Sequence, residues 1–208
     1  MNTRPGRDAV LTLLATLLAF SGVAALPARS GAQEGLTGPV EYCSQAGGVM
    51  RARYPAYDTN GADALRLAGE RRFCEFTASD GSRISVALDT LNAEAPTLAA
   101  LAYRDPPKPT PAPPSVNPSS VYCSQLGGTD QFGGVNAAGG GWVLADLPAP
   151  PPAGGPAAGE PDEVLAMCVF PDLSSIDSWG LTYHAAGIVR GADLDPLFRY
   201  QPDEARRR

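Results

Sequence analysis

The chain is short of the residues on which most enzymes rely for proton transfer. Among its 208 residues it has one histidine, His184, and one lysine, Lys108. His184 stands in Leu-Thr-Tyr-His-Ala, and no Gly-x-Ser-x-Gly elbow occurs anywhere, so a hydrolytic triad has no foundation. A glycine-rich phosphate loop and a dinucleotide fingerprint are both missing. Gly139, Gly140 and Gly141 lie in low-complexity sequence and point to neither. The four cysteines include no Cys-x-x-Cys, and spacings of 31 and 45 residues with one histidine suit no compact zinc site. Asp58–Asp63 has its glycine at the fourth place and no glutamate at the twelfth, so it reads as an Asn-Gly turn rather than a calcium loop. The expectation is a chain without cofactor or metal.

Long apolar runs are equally scarce. The one example, Ala9 to Phe20, follows Arg4 and Arg7 and precedes small residues through Ala32. That is the layout of a secretory signal peptide over residues 1–32, with cleavage before Gln33 favoured and a site after Val23-Ala24-Ala25 as the alternative. A retained anchor would need roughly 20 apolar residues, more than this run supplies. No membrane span is therefore expected after removal of the signal. Arg4, Arg7, Arg29 and Asp8 leave with it, so 21 acidic and 13 basic residues remain. Such an acidic chain is a poor partner for nucleic acid or an anionic membrane.

Export changes the reading of the cysteines, because in an oxidising compartment four of them most often form two disulfides. Three connectivities are possible, and a repeat chooses between them. Val40–Gly48 reads VEYCSQAGG and Val121–Gly128 reads VYCSQLGG. After each copy come a strand-like run, a second cysteine followed two residues later by Phe, and an Asp-x-Ser-x-Ile turn. Asp80–Ile84 aligns with Asp172–Ile176 in that scheme. A tandem duplication assigns Cys43 to Cys74 and Cys123 to Cys168, one staple per copy. Ser119 and Ser120 are candidate N-caps for the repeated helix, and Gly127-Gly128 stops it.

The proline run between the copies divides the chain. The expectation is an α+β fold of two small disulfide-stapled units, each a short helix against a small antiparallel sheet. A degenerate first repeat covers 37–104, a proline-rich linker 105–115, a second repeat 116–200 with a Pro/Gly-rich insertion at 147–163, and a tail 201–208.

The second copy resembles a family of small bacterial envelope domains of unknown function that carries the label "hemolysin". Its pattern is matched at Asn117, Pro118, Ser120, Tyr122, Cys123, Gly127, Gly128, Cys168, Phe170, Pro171, Asp172, Ser174 and Trp179. The family's third cysteine is replaced by Ile84 and Ile176, and its fourth is also missing, so one family disulfide is absent from both copies. The first copy lacks Asn-Pro and the Trp as well. The resemblance implies an envelope or secreted domain and supplies no mechanism. Asn117, Pro118, Tyr122, Gly127, Gly128, Pro171, Asp172 and Trp179 are the motif positions it marks, with Trp179 expected in the core against the disulfide.

The reading is a periplasmic or secreted, non-catalytic binding or structural module, joined to an unidentified envelope or extracellular partner. A protease-inhibitor-like protein using Leu147–Glu163 as its exposed loop is the alternative.

Overall fold

Two glycine pairs decide where two helices stop and how the chain then passes a disulfide. The computed structural model describes residues 34–60, 64–131, 138–146 and 164–202, with the side chains of 34–37 and 131 left out. The expected signal segment, the insertion 147–163 and the tail beyond 202 lie outside the described residues. The first half contains α1 (Glu34–Gln45), β1 (Val49–Tyr57), β2 (Leu65–Arg66), β3 (Arg71–Thr77), β4 (Arg83–Ala87), α2 (Leu88–Leu91) and α3 (Leu98–Arg104). The second contains α4 (Pro118–Gln125), β5 (Thr129–Gln131), β6 (Gly140–Leu144), β7 (Val164–Leu165), β8 (Met167–Val169), β9 (Ser175–Asp177) and α5 (Ser178–Ala185), then a 3₁₀ turn at Asp195–Leu197.

α1 and α4 end in the same way. Gly47 N–H donates to Ser44 O and Gly48 N–H to Cys43 O; Gly127 and Gly128 repeat this with Ser124 O and Cys123 O. The first glycine of each pair takes the left-handed region, at φ +86° and +81°. The second has another task. A Cβ on Gly48 would lie 2.3 Å from Cys74 Sγ, and one on Gly128 would lie 2.5 Å from Cys168 Sγ. The disulfides Cys43–Cys74 and Cys123–Cys168 occupy that space. By the chain-entropy argument each contributes on the order of 4 kcal/mol. The start of α4 differs from the serine caps expected above. Asn117 is the N-cap, its side chain accepting from Ser119 N–H at 3.0 Å, and Pro118 fills the first helical position. Proline has no N–H to satisfy and a preset φ, so it displaces the cap upstream.

All the ladders belong to one antiparallel sheet, in the order β5-β8-β9-β4-β3-β1-β6-β7 with β2 beside β1. The two halves are therefore interleaved, where the repeat alone suggested two separate stapled units. β1 pairs with β6 from Arg53↔Leu144 to Tyr57↔Gly140, and β4 pairs with β9 at Val86↔Ile176. One row crosses the sheet as Met50, Cys74, Val86, Ile176, Cys168, Asp130, each copy reversing the other's order. Ala166 alone separates β7 from β8, so the sheet curls back on itself as a half-barrel. A three-stranded meander standing alone would leave open edges and a thin core; here each copy's edge is covered by the other.

The register also revises the alignment of the copies. Val86, not Ile84, is the partner and counterpart of Ile176, because the β3–β4 hairpin carries two more residues per strand than β8–β9. Residues 105–115 do not behave as a bare spacer either. Tyr122 Oη donates to Pro107 O at 2.9 Å, Gln125 Nε2 to Lys108 O at 2.9 Å, and Thr110 N–H to Gln125 Oε1 at 3.0 Å. The segment is tied along α4.

The helix-covered side of the sheet holds the main core, which includes both disulfides, Val86, Ile176, Tyr103, Tyr122 and Phe198. A second cluster, Phe73, Ala87, Trp142, Leu165 and Met167, contains an edge-to-face pair of Phe73 and Trp142 at 5.4 Å. Beside Trp142 lies a buried ion pair. Arg53 Nη2 reaches Glu75 Oε2 at 3.2 Å, and Arg53 Nη1 donates to Trp142 O at 3.1 Å.

Candidate functional site

Part of the sequence motif serves to build one surface groove. The turn Phe170–Ser174 is held by Phe170 N–H to Ser174 O and Leu173 N–H to Phe170 O. Asp172 closes it, accepting from Ser174 N–H at 3.1 Å and Ser174 Oγ at 2.6 Å, and also from Leu98 N–H at 2.8 Å. Ser174 Oγ accepts from Ala99 N–H at 3.0 Å, and Thr97 caps the same helix through Ala100 N–H. The first turn of α3 is thus fixed to the β8–β9 turn. Burial works to raise the Asp172 carboxyl, but the donors from Ser174 and Leu98 outweigh it and hold the group below its ordinary value.

Between these elements runs a hollow of about 420 Å³. Leu98, Leu101 and Ala102 of α3 line it together with Pro107, Leu126, Phe170 and Pro171. A second hollow of about 240 Å³ continues from Gly127, Phe170 and Pro171 to Thr129 and Val169. Leu98 and Leu101, one turn apart on α3, are 42% and 47% exposed. Leu173 stands at the rim in the left-handed region, φ +66°, and is 69% exposed. The first copy has Gly81 there, at φ +82°. A leucine costs roughly 1–2 kcal/mol in that conformation and recovers little of it from burial. Arg71 Nη2, donating to Leu173 O at 3.0 Å, helps to hold the turn.

All but one of the motif positions divide into two groups. Asn117, Pro118, Tyr122 and Gly128 cap, tie or make room for the scaffold. Gly127 and Pro171 line the groove, and Asp172 locks its rim. Trp179 is in neither group, and it is not packed against a disulfide. It lies half-buried beside Tyr183, outside the core clusters, while Leu181, two residues further along α5, enters the main core. His184 stacks on Tyr103 with ring centroids 3.7 Å apart, which occupies one face of the imidazole. Burial pushes the Tyr103 hydroxyl up to about 12. Sequence reading did not find Leu98, Leu101 or Leu173. The exchange of Gly81 for Leu173 was the available signal for the last.

The copies also differ at one interior place. Ser120, Asp130 and Ser178 stand where the first copy has Val40, Met50 and Leu88. Ser120 Oγ donates to Asp130 Oδ2, and Ser178 Oγ to Oδ1 at 3.2 Å. Burial raises the Asp130 carboxyl above its ordinary value, against the effect of the two hydroxyls. Its folded value thus exceeds the unfolded one, so its contribution to stability is fullest below pH 3.8 and is lost as pH rises through the folded value. Asp130→Asn is expected to raise the urea midpoint at pH 7 and to match wild type near pH 3. An equal shift at both pH values would contradict this assignment.

Among the described residues there is no group of three or more His, Cys, Asp or Glu able to hold a metal, and no helix is long and apolar enough to cross a membrane. The loop 147–163, invoked for an inhibitor, lies outside the described residues. No protein-family model matches the chain, and neither a curated protein nor a solved structure matches it.

Proposed function

We propose that the chain is an exported, non-catalytic binding module that docks an apolar segment of an envelope or extracellular protein in the groove beside α3. The observation that carries this reading is the partial exposure of Leu98 and Leu101 in a groove that Phe170 and Pro171 also line, with α3 held there by Asp172 and Ser174. Two disulfides support an oxidising compartment, periplasmic or secreted. The resemblance to the hemolysin-labelled envelope domains supports the same address. No lytic activity enters the proposal.

The variant Leu98→Asp/Leu101→Asp tests it. Each residue is somewhat less than half exposed, so a loss of roughly 1 kcal/mol per site is expected, and urea unfolding checks that the variant is folded. Immobilised oxidised protein is compared with this variant and with Leu65→Asp, a more exposed leucine on β2. The expected result is a stoichiometric partner retained by wild type and Leu65→Asp and lost by the double variant. Equal retention by all three, or none by any, would overturn the assignment.

A further inference from the structure

We propose that α5 carries a second ligand site, an aromatic platform for an anionic saccharide. Trp179 and Tyr183 are one turn apart on α5 and share a face. Their ring centroids are 5.7 Å apart and the planes are inclined by 33°. Neither ring belongs to a core cluster, and Tyr183 is 36% exposed. The chain then reverses at Gly187, and Ile188 N–H donates back to Tyr183 O. That return places the Arg190 guanidinium 5.0 Å from the Tyr183 ring centroid. Among the described residues Arg190 makes no salt bridge, and the carboxylate whose charge it feels is the exposed Asp80 of the β3–β4 turn.

The chemistry selects the ligand. Two tilted rings offer π faces to an apolar but polarised surface, which the C–H face of a pyranose provides. A cation lying over one ring keeps its remaining donors for an acceptor at the platform's edge, and a guanidinium pairs a carboxylate in two-point fashion. A purely apolar partner would strip water from Arg190 and return nothing. Elsewhere the chain has more acidic than basic residues, so a cation beside two aromatics is a local exception that favours an anion. The feature also belongs to one copy alone. α2 has four residues where α5 has eight, and Asp89 holds the register position of Trp179.

The protein supplies its own reporter. It has two tryptophans, and Trp142 is 5% exposed. Emission changes on titration therefore report on Trp179. The probes are a uronate hexasaccharide, neutral cellohexaose and hexaglutamate, with calorimetry for the variants. The uronate is expected to give a saturable shift. Trp179→Ala is expected to weaken it at least about tenfold, and Arg190→Gln to bring it down to the level of cellohexaose. Binding of hexaglutamate as tight as the uronate would overturn the saccharide, and cellohexaose binding as tight would overturn the anion. Absence of saturable binding, or unchanged binding by Trp179→Ala with Arg190→Gln folded and equally unchanged, would overturn the site. Neither result bears on the groove.

Discussion

Gly128→Ala is expected to destabilise the protein by at least about 3 kcal/mol, combining overpacking with damage to a disulfide. The added Cβ would lie 2.5 Å from Cys168 Sγ, 3.0 Å from Cys123 Sγ and 3.3 Å from Val169 O. Two of these atoms belong to a covalent link and the third to a paired strand, so none can swing aside as a side chain end would. Either the bond opens or β5 separates from β8. Gly127→Ala is the internal control. Its Cβ would meet nothing within 4 Å, and its φ of +81° alone predicts a loss of roughly 1–2 kcal/mol. Urea unfolding of the two variants, with non-reducing peptide mapping, checks the contrast. A Gly128→Ala protein no less stable than Gly127→Ala would show that the disulfide does not fix the second glycine.

Glu75→Ala is expected to cost about 3–5 kcal/mol, because it leaves a buried guanidinium without its carboxylate. Arg53 is 2% exposed and Glu75 7%. Burial pushes the Arg53 guanidinium down and Glu75 holds it up, while Arg51 and Arg83 add like charge. A typical domain is stable by only 5–15 kcal/mol, so this one truncation removes a large share. Replacing both partners, as Arg53→Met/Glu75→Leu, is expected to be far milder than Glu75→Ala, since no orphan charge remains. Denaturant midpoints at pH 7 decide between them. A Glu75→Ala loss below about 1 kcal/mol would mean that water reaches Arg53.

Much of the local structure is written in short stretches. The repeated Tyr-Cys-Ser-Gln-x-Gly-Gly marks a helix end followed by a turn, and an antiparallel helix-and-sheet class with two disulfides was legible from it. The strand pairing was not, because β1 with β6 and β4 with β9 join residues 83–91 positions apart, and no local pattern specifies that choice. The same limit produced the alignment of Ile84 with Ile176. Identical residue types coincide there, and only the ladder shows that the first hairpin is longer. The groove was half legible. Gly127, Pro171 and Asp172 stood out as motif positions, whereas Leu98 and Leu101 look like any amphipathic helix until their exposure is known. Trp179 misled for a physical reason, since a lone Trp near a disulfide usually packs inward, and here Leu181 takes the inward-facing place on α5.

The central structural claim is that the two copies complete one another's sheet. It is tested most directly by producing residues 34–104 and 105–202 as separate oxidised chains and recording circular dichroism alone and mixed. Each half is expected to be largely unfolded, because each lacks the partner strands for β4 or β9 and for β1 or β6. Mixing is expected to restore the sheet signal at one-to-one stoichiometry. Two halves that each fold cooperatively, with no change on mixing, would contradict the interleaved sheet and return the chain to two independent stapled units.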